Sequence, residues 1–207
     1  LAGALSLVSC ESWLDEDPQY TINTKTQFST VENAKQALMG CYGYMSADNA
    51  YGQAWQEVTF GYCGFGWSQT NGSSTDLLVS MDGGIDETIN TMAWRGMYKV
   101  IGETNAFIAN IADSPLESAD KLPMEAAARF LRALAYYNLA VTYGDVPLKT
   151  TPSAHDGVAV PRSPKNEVFE LVRTDWEFAY ENLPEKDDDG FATKWAAKAY
   201  LGKLYHT

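Results

Sequence analysis

The chain has 207 residues, 45% hydrophobic and 20% charged, and a net charge of −12 at pH 7. That balance suits one domain burying roughly 70% of its unfolded surface, and the negative charge argues against nucleic acid or an anionic membrane face as a partner. Twelve Tyr and six Trp are many for this length. Part of them is core, and any exposed part suits stacking on sugar rings, whose C–H faces are apolar while their edges hydrogen-bond.

Neither end has the form of a natural terminus, so the chain reads as a fragment: it begins without Met or a basic leader and closes inside a helical pattern. Residues 1–9 are small and apolar and lead into Cys10. Such a run is too short to span a bilayer and has the character of a signal-peptide tail. Leu7-Val8-Ser9-Cys10 resembles a bacterial lipobox, in which the Cys is acylated and becomes the mature N-terminus. The alternative is a buried strand or helix end with an ordinary thiol. Residues 11–28 are mixed polar and aromatic and read as a tether followed by an extended stretch.

The first helix is expected from Ser29, with Glu32 completing a capping box, to about Ala47. Ala34, Ala37, Leu38, Cys41, Tyr42 and Met45 give its apolar period. Residues 48–84 break that pattern and hold Gly52, Gly61, Gly64, Gly66, Gly72, Gly83 and Gly84 beside Tyr51, Trp55, Phe60, Tyr62, Phe65 and Trp67. A long loop in a compact domain is often functional. Residues 53–60 allow a short helix or turn, with loop beyond.

A long helix comes next, over about 86–112, with Trp94, Met97, Tyr98, Ile101, Asn105, Ile108 and Ile111 on one face. An amide on that stripe needs a partner, and Asn105 is expected to tie two helices together. Asp113-Ser114-Pro115 ends this helix. The central helix is expected to open at Pro123, where a missing N–H costs nothing, and to stop at Gly144 before Pro147. Its stripe is Ala127, Phe130, Leu131, Leu134, Tyr137 and Val141, broken by Asn138. Another helix is expected from the Ser163 cap and Pro164 to Leu183-Pro184, with Val168, Leu171, Val172, Trp176, Ala179 and Leu183 inward. Thr193 caps a last helix carrying Ala196, Ala197, Tyr200, Leu201 and Leu204. These four long helices make two antiparallel pairs. The fold class is all-α, tetratricopeptide-like helix pairs with a long aromatic, Gly-rich loop insertion.

The order and spacing of these residues resembles the SusD/RagB family, outer-membrane nutrient-binding lipoproteins of Bacteroidota. Phe130-Leu131-Arg132-Ala133, the pair Tyr136-Tyr137 and Tyr143-Gly144-Asp145-Val146-Pro147-Leu148 match its central signature. Trp94 through Ile111 resembles the family's Trp, Tyr, Ile, Asn, Ile helix before it. Arg162-Ser163, Asp175, Leu183-Pro184 and Thr193-Lys194 with Ala196-Ala197 match the helical pair after it. The resemblance covers residues 10–207 and divides the chain into a signal-peptide end with its lipobox (1–10), a tether (11–28) and the N-terminal helical domain of a longer protein (29–207). It implies a tetratricopeptide-like scaffold, a lipid on Cys10 holding the protein at the cell surface on the outer membrane, a glycan ligand and a SusC-like TonB-dependent transporter as partner. It implies neither catalysis nor a cofactor. The RagB branch implies peptide as an alternative ligand. A tetratricopeptide-like scaffold without a small ligand is a third reading, and an enzyme acting on glycan is a fourth.

The residues themselves give no catalytic constellation. There is no Gly-x-Ser-x-Gly elbow and no phosphate-cradling Gly loop. His155 and His206 lack partners at zinc spacing, so no metal is expected. Asp187-Asp188-Asp189-Gly190 lacks the alternating ligands of a calcium loop and reads as a solvated turn. Carboxylates are many, but nothing singles out a glycosidase pair. Cys41 falls on an apolar stripe as a small buried hydrophobe. Cys63 lies in the aromatic loop, and in an exported protein a disulfide between the two is open. The ligand-binding candidates are Trp55, Tyr62, Phe65, Trp67, Asn71 and Asp76: ring faces for stacking, amide and carboxylate for hydroxyls. The competing reading for each aromatic is packing over the helix ends. Trp67 is expected to be the most ligand-exposed, because Gly66 precedes it and Ser68-Gln69-Thr70-Asn71 come after it. Ser74-Thr75-Asp76 resembles a short Ser-Asp segment of the family.

Overall fold

A helix surrounded by other helices must be apolar on every side, and one segment of this chain meets that condition. It is α5, Ser118–Tyr143, in which Ala126, Ala127, Ala128, Phe130, Leu131, Ala133, Ala135, Tyr136, Leu139 and Ala140 are all buried. Its many alanines let neighbouring helices approach closely. The computed structural model describes residues 24–61, 63, 80–81, 88–152, 160–187 and 189–207. Cys10, with the signal-peptide end and most of the tether, lies outside the described residues, as do Tyr62, Phe65, Trp67, Asn71 and Asp76.

The elements in chain order are α1 (Thr24–Gln27), α2 (Val31–Ser46), a π-helical turn (Asp48–Gly52), α3 (Ala54–Gly61), α4 (Thr88–Ala112), α5, α6 (Lys165–Asn182) and α7 (Lys194–Tyr205). The strands β1 (Val146–Pro147) and β2 (Arg162–Ser163) pair antiparallel, Val146 opposite Ser163 and Pro147 opposite Arg162. Helices α4 and α5 pack as one hairpin and α6 and α7 as the next, with α5 against α6 and α2 lying across α4 and α5. This is the all-α, tetratricopeptide-like arrangement that the periodicity and the resemblance implied. Among the described residues no helix is long and apolar enough to cross a membrane.

Several boundaries differ from expectation, each for a local reason. Thr24–Gln27 forms a helical turn within the stretch expected to be extended, and Phe28 after it is buried against Phe107, ring centroids 5.4 Å apart. Thr30, not Ser29, caps α2: its hydroxyl accepts the Asn33 N–H at 3.2 Å. The Ser29 hydroxyl is already donating to the Thr26 carbonyl at 2.8 Å. Helix α5 begins at Ser118, so Pro123 lies in its second turn rather than at its first position. The helix gives up one backbone bond there and keeps the helix-compatible residues Ser118 to Leu122. Ser163 belongs to β2 rather than capping α6. The Lys165 N–H at the start of α6 instead donates to the Asp145 carboxylate at 2.8 Å. Thr193 does precede α7, but its side chain makes no capping bond. Gly144 ends α5 with φ 72, as its position suggested. Val141, counted on the apolar stripe of α5, is 45% exposed.

Candidate functional site

Two polar breaks in apolar helices organise the interior, and they do different work. Asn105 on α4 and Arg132 on α5 meet in a buried network. The Arg132 guanidinium donates to both carboxylate oxygens of Asp175 on α6, at 2.7 and 2.8 Å, and to the Asn105 carbonyl oxygen at 2.8 Å. The Asn105 amide donates to the carbonyls of Lys149 and Thr151 at 3.0 and 3.3 Å. Tyr136 donates to the Lys149 carbonyl and accepts the Lys149 N–H, and Tyr98 donates to the Pro147 carbonyl. Asn105 thus ties α4 to α5, as expected, and also fixes the segment after β1. Each guanidinium nitrogen of Arg132 is engaged in a charge-assisted or amide bond. This network is architecture: Asn105, Arg132 and Asp175 are all buried.

The second break, Asn138, faces a cleft. It is 6% exposed, and its amide nitrogen donates to the Tyr51 phenol oxygen at 2.7 Å. Among the described residues its carbonyl oxygen has no hydrogen-bond partner. The cleft is about 420 Å³ and lies between the π turn with α3, the second half of α5 and the end of α7. Tyr51, Trp55, Tyr137 and Tyr200 supply its rings, and Gln56, Thr59, Asn138, Thr142 and Lys203 its polar groups. Burial pushes the Tyr51 phenol up to about 12, against the opposing effect of the Asn138 bond. The phenol therefore stays protonated at neutral pH, and since its oxygen accepts from Asn138 its hydrogen is left to donate. Together they offer a ligand one acceptor and one donor beside aromatic faces.

The rings at the cleft fall into two groups, Tyr51 with Trp55 and Tyr137 with Trp176 and Tyr200. Tyr51 and Trp55 have centroids 6.4 Å apart, Tyr137 and Trp176 5.5 Å, and Trp176 and Tyr200 5.2 Å. Trp176 is fully buried and props Tyr137 and Tyr200 from below. A rigid aromatic wall costs little entropy on binding, because its rotamers are already fixed by packing.

Of the residues singled out from sequence, Trp55 is 7% exposed and lines this cleft, so it is mainly core with one edge reaching the site. Cys63 is an exposed free thiol beside Phe60, and Cys41 is buried and free, so the two are not bonded to each other. With Gln56, Glu57, Thr59 and Phe60, Cys63 borders a second, open cavity of about 560 Å³ at the end of α3. Tyr62, Phe65, Trp67, Asn71 and Asp76 lie beyond the described residues. Tyr137, Tyr200 and Lys203 were not among the candidates. Asn138 carried a signal, since it is polar on an apolar stripe. Lys203 carried none, because only the folding of α7 onto α5 brings it to Tyr137. Among the described residues no group of three or more His, Cys, Asp or Glu is placed to hold a metal.

A family model described as starch-binding and associating with the outer membrane matches residues 12–206. A SusD-like protein of Formosa agariphila is 25% identical over 97% of this chain, which spans 40% of that relative's length. A solved structure described as containing xylogluco-oligosaccharide superposes with a TM-score of 0.74 at 26% identity, covering 83% of this chain and 34% of its own. Another, described as a laminarin-binding SusD-like protein, gives a TM-score of 0.73 at 25% identity over 86% of this chain and 40% of its own.

Proposed function

The chain belongs to the SusD-like family, and from that premise we propose that it is the N-terminal part of a non-catalytic lipoprotein that captures oligosaccharide at the cell surface and passes it to a SusC-like TonB-dependent transporter. The observation that carries the reading is the aromatic cleft with, at its back, the Asn138 side-chain carbonyl that has no hydrogen-bond partner among the described residues. Sugar rings need that combination: flat apolar walls for their C–H faces and a few fixed polar atoms for their hydroxyls. The relatives named for xylogluco-oligosaccharide and laminarin support a glycan as the ligand. In this reading Trp55 lines the cleft, Trp67, Tyr62 and Phe65 add stacking faces, and Asn71 and Asp76 bind hydroxyls. Acylated Cys10 anchors the protein to the outer membrane, with more than one acyl chain needed for stable attachment.

The test is calorimetric titration of the full-length protein with xyloglucan- and laminarin-derived oligosaccharides, beside an array of peptides. Saturable glycan binding is expected, with no release of new reducing ends on long incubation. Trp67→Ala should weaken it by about 1–3 kcal/mol, as for a stacking anchor, with an unchanged urea midpoint. Binding to peptides alone would replace glycan by peptide as the ligand. Loss of folding in Trp67→Ala with no separate effect on affinity would make Trp67 core. For the anchor, Cys10→Ser should abolish labelling by a fatty-acid probe, and retained labelling would remove the lipobox reading.

A further inference from the structure

The cleft between α3, α5 and α7 has a charge character opposite to that of the chain. The net charge is −12, yet among the described residues no carboxylate lines the cleft and Lys203 is its one charged lining residue. The Lys203 ammonium lies 5.2 Å from the Tyr137 ring centroid and 5.8 Å from that of Tyr200. It makes no ion pair with the described residues. Lys35, Lys99 and Lys194 are each paired with a carboxylate, and Lys165 and Lys198 lie over rings away from the cleft. Two ring faces hold the Lys203 cation at the cleft while leaving its N–H donors for a partner. A single cation at a concave, aromatic-walled surface without competing carboxylates favours an anion there.

We propose that this cleft takes a sugar ring carrying an anionic substituent, a carboxylate or a sulfate. Lys203 pairs with the anion, Asn138 accepts from a ring hydroxyl and Tyr51 donates to another. The proposal rests on the glycan reading above and narrows it from sugars in general to acidic ones.

The experiment is titration of the full-length protein with an oligogalacturonate and with a sulfated galactan oligosaccharide, each beside its neutral counterpart, the methyl ester and the desulfated sugar. At least one acidic ligand is expected to bind tenfold or more tighter than its neutral form, and the arm that does so identifies the carboxylate or the sulfate as the anion. Lys203→Gln should remove that preference and Lys203→Arg should retain it. Lys198→Gln makes the same change in net charge but sits over the Tyr180 and Trp195 rings, outside the cleft, and should leave the preference intact. Equal affinity for acidic and neutral forms, or a preference that survives Lys203→Gln, overturns the proposal while glycan capture stands. No binding of any of the four sugars, or of the neutral oligosaccharides above, overturns both.

Discussion

Asp175 is fully buried on α6 and takes two hydrogen bonds from Arg132, itself 5% exposed, on α5. Arg129 adds a third contact at 3.4 Å while lying over the Phe178 ring and pairing with Glu125. Two buried charges attract strongly, but each gave up its hydration to get there, so the pair is worth less than it looks and its breakage costs more. Asp175→Asn keeps the shape and removes the charge, leaving the Arg132 cation buried without its counter-ion. It should destabilise the protein by about 3–5 kcal/mol, read as a fall in the urea midpoint at constant slope. Replacing Arg132 by Met in the same background should recover part of that loss. A loss below about 1 kcal/mol would mean that the pair behaves as a solvated one. The Phe-Leu-Arg-Ala string that marked the resemblance is thereby explained at this position: the Arg is there to join three helices and the segment after β1.

The element that presents Tyr51 to Asn138 is the π turn Asp48–Gly52, which rests directly on α4 at Gly96. A Cβ at Gly96 would lie 1.8 Å from the Asn49 carbonyl oxygen and 2.4 Å from its carbon. Both are backbone atoms that no rotamer change can move. Gly96→Ala should therefore cost about 3 kcal/mol or more and should also weaken glycan binding, because the turn must lift and carry Tyr51 from Asn138. A variant with wild-type stability would show that the turn does not sit on α4 as described. None of this was legible in the sequence, where Gly96 is one small residue within a helical period, and its reason is the approach of Asn49, a residue remote along the chain. What was legible is what depends on period and on local stops: α2, α4, α5, α6 and α7, the end of α5 at Gly144, and a short helix within the region that became α3. Caps were less so, since Asp145 reaches α6 across 20 residues. The site was legible in halves. Trp55 and the odd Asn138 stood out, while Tyr137, Tyr200 and Lys203 read as ordinary helix residues until packing brought them together.

Across the whole molecule, burial has placed several weak acids where their charged forms are disfavoured. Burial, then the nearby Glu103 charge, pushes the Cys41 thiol from its usual 9.0 to about 12. Burial likewise pushes Tyr42 and Tyr51 from 10.0 to about 12, and it raises Tyr98 further. In the unfolded chain these groups ionise at their ordinary values, so between about pH 9 and 12 the unfolded state binds fewer protons than the folded one. Stability then falls as pH rises through that window and is unaffected by these groups below it. The urea midpoint measured at pH 8, 9, 10 and 11 should therefore decline progressively above pH 9. Cys41→Ala and Tyr42→Phe, which remove two of the titrating groups, should make the decline shallower. Thiol alkylation at pH 8 should label Cys63, exposed at the end of α3, and spare Cys41 until urea unfolds the protein. A midpoint that holds level from pH 8 to 11, or rapid labelling of Cys41 in the folded state, would mean that α2 does not bury this face against α4 and α5.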